Sequence, residues 1–195
     1  MPAATLTPPV SSEFPPRKRF TRAEVDQMQQ TGVLDGQRLE LIDGDLLNKM
    51  GQNPPHAFVI RALQALLARY FSADSIQVQS PIEVSTGDQR WSLPEPDIAV
   101  LTTAKTEYRS RFPRGDELAL AVEVSDTTLR HDASTKRDLY ARAGVREYWI
   151  VDVAGRKLIV HRRLFDGEYR EVTTLAESET VALGQNSIAI SSILP

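Results

Sequence analysis

Residues 118–125 read LALAVEVS, and after a polar segment residues 147–152 read EYWIVD. The first run is apolar except for Glu123, the pattern of a central strand with both faces covered. Between the two runs, Ser134 to Ala143 has the pattern of a helix, and Gly144 ends it. A strand, a helix and a second apolar strand in this order predict a unit whose two strands run parallel.

Shorter elements are predicted on both sides of this unit. Asp43-Gly44 and Asp166-Gly167 each separate two strand-like runs, and such dipeptides tolerate the positive φ of a hairpin turn. Thr21 and Glu24 form a capping-box pattern at a helix start. The predicted elements are a helix to Gln30, hairpin strands over 38–42 and 45–49, a helix over 55–71, a strand over 77–84, a strand after Pro96 to 101, hairpin strands over 156–163 and 168–173, and a closing apolar segment over 188–194.

Composition predicts one soluble globular domain over residues 21–195, preceded by a flexible tail over 1–20 with five prolines. The 195 residues are 41% hydrophobic and 25% charged, and no apolar run approaches the ~20 residues of a membrane span. The absence of cysteine excludes disulfides and thiolate zinc sites, and with no secretory signal it favours the cytoplasm. The net charge of −3 means that contact with nucleic acid requires a local patch or a bound cation.

Two carboxylates are candidates for a metal site. Asp97 begins one strand, and Glu123 lies near the end of a neighbouring one, so pairing of the strands could bring both acids together. Hard cations such as Mg²⁺ are held by one or two carboxylates, with water and phosphate oxygens completing the shell. The alternative is that Glu123, costly to bury as an isolated anion, forms a structural ion pair with a lysine or arginine.

A cationic candidate follows on the helix. Lys136 lies four residues after Asp132 and four before Tyr140, so the three share one face. An ammonium group near a scissile phosphate can orient or deprotonate water and offset developing negative charge. The alternatives are an exposed ion pair between Asp132 and Lys136, and a core position for the Tyr140 ring.

Two further residues are candidates on weaker grounds. Glu40 lies between Leu39 and Leu41 in the first hairpin and points away from both, so it could be a metal ligand, could orient water, or could be an exposed strand residue. His56, at the start of the long helix, could contact phosphate or water, or could be a surface or capping group.

These residues belong to an ordered set of motifs. The set is RLELIDG (38–44), His56, PDIAV (96–100), EVS (123–125), Asp132, Lys136, Tyr140 and GVREYWIVD (144–152). Together they resemble the Uma family of restriction endonucleases within the PD-(D/E)XK nuclease superfamily, over about residues 20–190.

The resemblance implies an α/β (α+β) fold with a restriction-endonuclease-like core, in which helices flank a mixed central β-sheet and β-hairpins are added. It also implies Mg²⁺- or Mn²⁺-dependent hydrolysis of DNA, with Asp97 and Glu123 as metal ligands, Glu40 as an additional acid and Lys136 as the catalytic lysine. Ser125 stands where the superfamily usually has its lysine, and the resemblance implies that the following helix supplies Lys136 instead.

The leading hypothesis is therefore a metal-dependent DNA endonuclease, with one or two ions. Because of Ser125 and the acidic net charge, the alternative is a catalytically silent nuclease fold that binds nucleic acid or a protein partner. A third hypothesis is hydrolysis of a non-nucleic phosphoester. A homodimer is compatible with cutting both strands of a duplex.

Overall fold

A computed structural model of the chain describes residues 17–49, 53–103 and 108–195. Most of the proline-rich tail, residues 1–16, lies outside the described residues, so its flexibility stays a prediction. The last residues of the predicted tail contact the first hairpin: Phe20 N donates to the Gly44 carbonyl at 2.8 Å, and the Arg19 guanidinium pairs with Asp43. None of the helices in the described ranges has the length and apolar character needed to cross a membrane.

The described residues form a six-stranded mixed sheet, helices on its faces and two separate two-stranded hairpins. The helices are α1 (Arg22–Gln30), α2 (Pro54–Leu67), α3 (Leu129–His131) and α4 (Arg137–Ala143), with a π-helical turn, Asp132–Lys136, joining the last two. The strands are β1 (Leu39–Ile42), β2 (Asp45–Asn48), β3 (Ile76–Val78), β4 (Ile98–Leu101), β5 (Leu118–Ser125), β6 (Tyr148–Asp152), β7 (Lys157–Phe165), β8 (Glu168–Ala176), β9 (Thr180–Leu183) and β10 (Asn186–Ala189).

The central sheet has six strands in the order β3-β4-β5-β6-β7-β8. β5 and β6 are parallel, and every other neighbouring pair in this sheet is antiparallel. The predicted strand–helix–strand unit is thus present, and the predicted α/β fold with a mixed sheet is confirmed. Its helical segment begins earlier than predicted, at Leu129, and ends as predicted with Gly144 in the left-handed region at φ 89°.

Both predicted hairpins are present. β1 pairs with β2 around Asp43 and Gly44, whose φ values are 49° and 83°. β7 pairs with β8 around Asp166 and Gly167, at 51° and 71°. Positive φ at both central residues gives a turn whose twist matches that of the flanking strands. A third hairpin, β9–β10, was not expected, because only a closing apolar segment is visible in that part of the sequence.

The strand predicted over residues 77–84 differs in the structure. β3 ends at Val78, Gln79 adopts a φ of 45°, and Pro81 lacks the N–H that a continued ladder needs. After Pro81 the backbone no longer pairs with β4. Instead, Ile82 N donates a hydrogen bond to the Pro94 carbonyl at 3.0 Å. The predicted helix over 55–71 is likewise shorter, since α2 ends at Leu67.

Two apolar layers hold the sheet. On one face, Val59, Leu63 and Leu67 of α2 pack on a cluster that includes Val122 and the fully buried Trp149. On the other face, a second cluster contains Tyr140, Tyr148, Ile150 and Ala121. β5 contributes to both clusters, so its near-continuous apolar sequence reflects burial on both faces.

A buried histidine predicts a pH dependence of stability. His161 is 2% exposed, and its ring lies 5.4 Å from that of Tyr148 and 5.7 Å from that of Tyr169. Burial lowers the pKa of His161 to about 4, whereas an unfolded histidine titrates near ~6.5. The unfolded state therefore binds more protons than the folded state between these two pKa values. Because of His161, the free energy of unfolding should fall by about 2 kcal/mol as the pH falls from 7 to 5.

Urea unfolding of wild type and His161→Phe at the two pH values measures this contribution. The loss on acidification should be about 2 kcal/mol smaller in the variant, because phenylalanine keeps a planar ring without a titrating group. A Tyr169→Phe control should retain the wild-type loss. Equal losses in wild type and His161→Phe would contradict the assignment.

Candidate active site

Strand pairing brings the two candidate metal-binding acids together. Ile98 is paired with Val122 in the antiparallel β4–β5 ladder, so Asp97, one residue before β4, stands opposite Glu123. The Val124 N–H donates to Asp97 Oδ2 at 2.9 Å. Both carboxylates are buried and both line the same cavity, which has a volume of about 660 Å³.

Lys136 joins two acids at this cavity. Its Nζ lies 3.0 Å from Glu123 Oε1 and 2.7 Å from Glu40 Oε1, and each of the three side chains is at most 8% exposed. Lys136 stands at the end of the π-helical turn, a feature that is frequent at functional sites. The ion pair weighed as the alternative for Glu123 is therefore present, with the lysine shared between two carboxylates from different parts of the chain.

Tyr140 contacts Glu123 Oε1, the oxygen that Lys136 also contacts, but Tyr140 does not itself line the cavity. Its hydroxyl donates to Glu123 Oε1 at 2.7 Å, and its ring meets that of Tyr148 edge-on at 5.0 Å. The core position considered from the sequence is correct for the ring, which is fully buried. The hydroxyl at the end of this ring nevertheless contacts the Glu123 carboxylate.

The charges in this cluster shift one another's pKa values. Burial is the main reason that the pKa of Glu123 rises to about 8; repulsion from Asp97, Asp132 and Glu40 adds to the rise, and the attraction of Lys136 opposes it. Burial alone would lower the pKa of Lys136, but its acidic neighbours, with Glu123 first, raise it above the usual value. Lys136 therefore stays protonated, while the negative charges of the neighbouring carboxylates repel one another.

Asp97 has a different environment. His56 Nε2 lies 3.2 Å from Asp97 Oδ2, and Gln79 Nε2 donates to Oδ1 at 3.2 Å. Burial acts to raise the pKa of Asp97, but the His56 contact, the charge of Lys49 and the Val124 N–H together lower it. His56 Nδ1 is buried and has no hydrogen-bond partner among the residues that the structure describes.

The other secondary candidates lie along the cavity wall or behind it. Asp132 is buried in the wall, where its Oδ2 accepts from Thr128 Oγ1 at 2.5 Å; burial raises its pKa despite this bond and one with Ser125. Ser125 is fully buried, with Oγ 3.4 Å from Thr128 Oγ1. Ser125 therefore supports Asp132 rather than lining the cavity.

Several cavity residues were not candidates from the sequence. Gln79 holds Asp97, Asn53 Nδ2 donates to Asp126 Oδ2 at 2.6 Å, and Lys49 Nζ donates to the Glu95 carbonyl at 2.6 Å. All but Glu95 line the cavity. No periodicity or motif marks them, because their contacts are made across 18 to 73 positions of sequence.

The donor set fits a hard divalent cation. Within residues 17–49, 53–103 and 108–195, no three His, Asp or Glu side chains form a ready-made metal centre. A magnesium ion needs only one or two carboxylates, with water and phosphate oxygens in the other positions. Glu40, Asp97, Glu123 and Asp132 are buried at a cavity that Lys136 and Lys49 also line, so a bound cation would further relieve the repulsion among the four acids.

The mixed sheet brings two opposed acids and a lysine from the following helical segment to one cavity. A family model described as "Uma2: Putative restriction endonuclease" matches residues 22–188, and the chain belongs to this family. The resemblance seen in the sequence is thereby confirmed.

One solved structure with a similar fold is described as "a putative nuclease belonging to DUF820 from Anabaena variabilis ATCC 29413". The superposition has a TM-score of 0.64 and covers 80% of this chain and 88% of that chain, at 11% sequence identity. At this identity the likeness concerns the fold alone. No curated protein matches the chain.

Proposed function

We propose that the chain is a divalent-metal-dependent endonuclease that hydrolyses phosphodiester bonds in DNA. Asp97 and Glu123 hold the ion, with Glu40 as an additional acid, and Lys136 is the catalytic lysine. The observation that carries the proposal is the convergence of Lys136 with Glu123 and Glu40, opposite Asp97, in one cavity. Membership of a restriction-endonuclease family supports DNA as the substrate.

Each side chain has a role that follows from its environment. Mg²⁺ or Mn²⁺ would supply Lewis acidity and an activated water. Asp97, held by His56 and Gln79 with a lowered pKa, stays anionic and so can bind a cation across the neutral range. Lys136, with a raised pKa, stays protonated and stabilises charge that develops on the phosphoryl oxygens rather than accepting a proton.

The remaining residues of the site order these groups. His56 and Gln79 fix the orientation of Asp97, and Thr128 and Ser125 hold Asp132 at the wall. Arg38 and Arg130 line the same cavity and can meet the phosphate backbone of the substrate. A homodimer would present two such sites to the two strands of a duplex.

Cleavage assays test the proposal. Wild type with Mg²⁺ or Mn²⁺ should cut plasmid, linear duplex or single-stranded DNA, and Asp97→Asn should reduce the rate at least about 100-fold, because a ligand worth several kcal/mol is lost. Asp88→Asn is the matched control, since Asp88 pairs with Arg142 away from the cavity and should leave the rate within about twofold.

Other results would assign a different function. Metal-independent binding of DNA without cleavage would indicate the catalytically silent alternative. Hydrolysis of small chromogenic phosphodiesters without cleavage of any DNA would indicate a non-nucleic substrate. Equal cleavage by wild type and Asp97→Asn would overturn the proposed site.

A further inference from the structure

One oxygen of Glu123 receives two donors. Tyr140 Oη lies 2.7 Å from Oε1, and Lys136 Nζ lies 3.0 Å from the same atom. The second oxygen, Oε2, accepts no hydrogen bond from the part of the chain that the structure describes. Because Glu123 lines the cavity, this arrangement leaves Oε2 for a ligand there.

We propose that Tyr140 is a positioning residue that fixes Glu123 so that Oε2 alone is presented to the metal. The inference rests on the proposed function, because it concerns how the chain holds one of the proposed metal ligands. Partners that orient a metal-binding carboxylate typically affect metal affinity 10- to 100-fold when removed, although they do not touch the ion.

Lys136 is poorly suited to this task by itself. Its side chain has four rotatable carbon–carbon bonds, and its amine is shared with Glu40 at 2.7 Å, so it can follow either acid. The Tyr140 ring, in contrast, is fully buried and packed edge-on against Tyr148. A rigid ring places its hydroxyl at one point, and that point determines how the Glu123 carboxylate is turned.

A purely structural role would not require the hydroxyl. A fully buried phenol costs free energy unless its hydroxyl is hydrogen bonded, and phenylalanine would fill the same volume. Tyr148 offers a direct comparison on the same face of the sheet. It is equally buried, but its hydroxyl donates to the Asp132 carbonyl at 3.1 Å and not to a carboxylate.

The test is the affinity of the protein for Mn²⁺ alone, measured by electron paramagnetic resonance and by calorimetry without DNA. Tyr140→Phe should bind Mn²⁺ about 10- to 100-fold more weakly than wild type. Tyr148→Phe, which removes an equally buried hydroxyl, should stay within about twofold of wild type. In a Glu123→Gln background, Tyr140→Phe should cause no further loss, since the residue acts through Glu123.

A measurement on the wild-type chain guards against a folding defect in the variant. With 3-fluorotyrosine at all five tyrosines, saturating Mg²⁺ should shift the fluorine resonance of a buried tyrosine. If no resonance shifts while Mg²⁺ binds, or if Tyr140→Phe folds and binds Mn²⁺ as tightly as wild type, the positioning role is wrong and the proposed function stands. Wild type that binds neither ion would overturn both.

Discussion

Lys136→Met is expected to lower the free energy of unfolding by about 3–5 kcal/mol. The change leaves two buried carboxylates, Glu40 and Glu123, without the cation that they share at 2.7 and 3.0 Å. Breaking a buried pair from one side costs this much because the remaining charge is uncompensated. For a domain whose whole stability is typically about 5–15 kcal/mol, the effect is large. Urea unfolding at pH 7.5 measures it directly.

Lys157→Met provides the matched control. Lys157 Nζ lies 3.4 Å from Asp152 Oδ2, but the lysine side chain is more than a third exposed, and the buried Asp152 also accepts from the Gly155 N–H at 2.7 Å, so the loss of Lys157 should cost less than about 1 kcal/mol. Adding Glu40→Gln and Glu123→Gln to Lys136→Met should recover part of the lost stability, because the unpaired charges are then removed. A cost for Lys136→Met no larger than that of Lys157→Met would contradict the shared ion pair.

Glu123→Gln, unlike Lys136→Met, is expected to reduce cleavage strongly and to leave the free energy of unfolding almost unchanged. Cleavage should fall by about 10²- to 10³-fold, because a metal ligand that supports several kcal/mol of transition-state stabilisation is lost. The free energy of unfolding without metal should be retained or should rise by about 1 kcal/mol, since burial, together with repulsion from Asp97, Asp132 and Glu40, already disfavours the ionised form of Glu123. Glutamine can still accept the hydrogen bonds of Tyr140 and Lys136.

Single-turnover cleavage measures the loss of rate in Glu123→Gln, and urea unfolding of the same samples measures its free energy of unfolding. Glu83→Gln is the control: Glu83 pairs with Arg22 at 2.6 Å outside the cavity, and its variant should keep the wild-type cleavage rate within about twofold. If Glu123→Gln cleaves DNA normally and loses several kcal/mol of stability, Glu123 is a structural partner of Lys136 and not a metal ligand.

These two variants separate the two explanations that the sequence leaves open for Glu123. A buried acid inside an apolar strand signals that something compensates its charge, but a lysine and a metal ion both satisfy that requirement. Its neighbour Lys136 is thirteen positions away in the sequence and within hydrogen-bond distance in the structure. Only the response of stability and of cleavage to the same substitution distinguishes the roles.

Some features were predictable because they depend on near neighbours. The turns at Asp43-Gly44 and Asp166-Gly167 follow from residues that tolerate positive φ, and β5 follows from an apolar run covered on both faces. The family was recognisable because its motifs keep their order over most of the chain. The strand over 77–84 failed as a prediction because Gln79 and Pro81 interrupt a run of acceptable strand residues.

Alternation, helical spacing and turn chemistry in the sequence thus determined the two Asp-Gly hairpins, the parallel unit and the positions of the candidate acids and lysine, since these patterns act over a few residues; the family resemblance supplied the roles of the candidates. The tertiary structure decided which candidates meet. The β4–β5 register sets Asp97 opposite Glu123, and the fold brings the Glu40 hairpin to the Lys136 amine. Such contacts depend on strand order and side-chain direction across distant segments, and packing of the whole chain sets both.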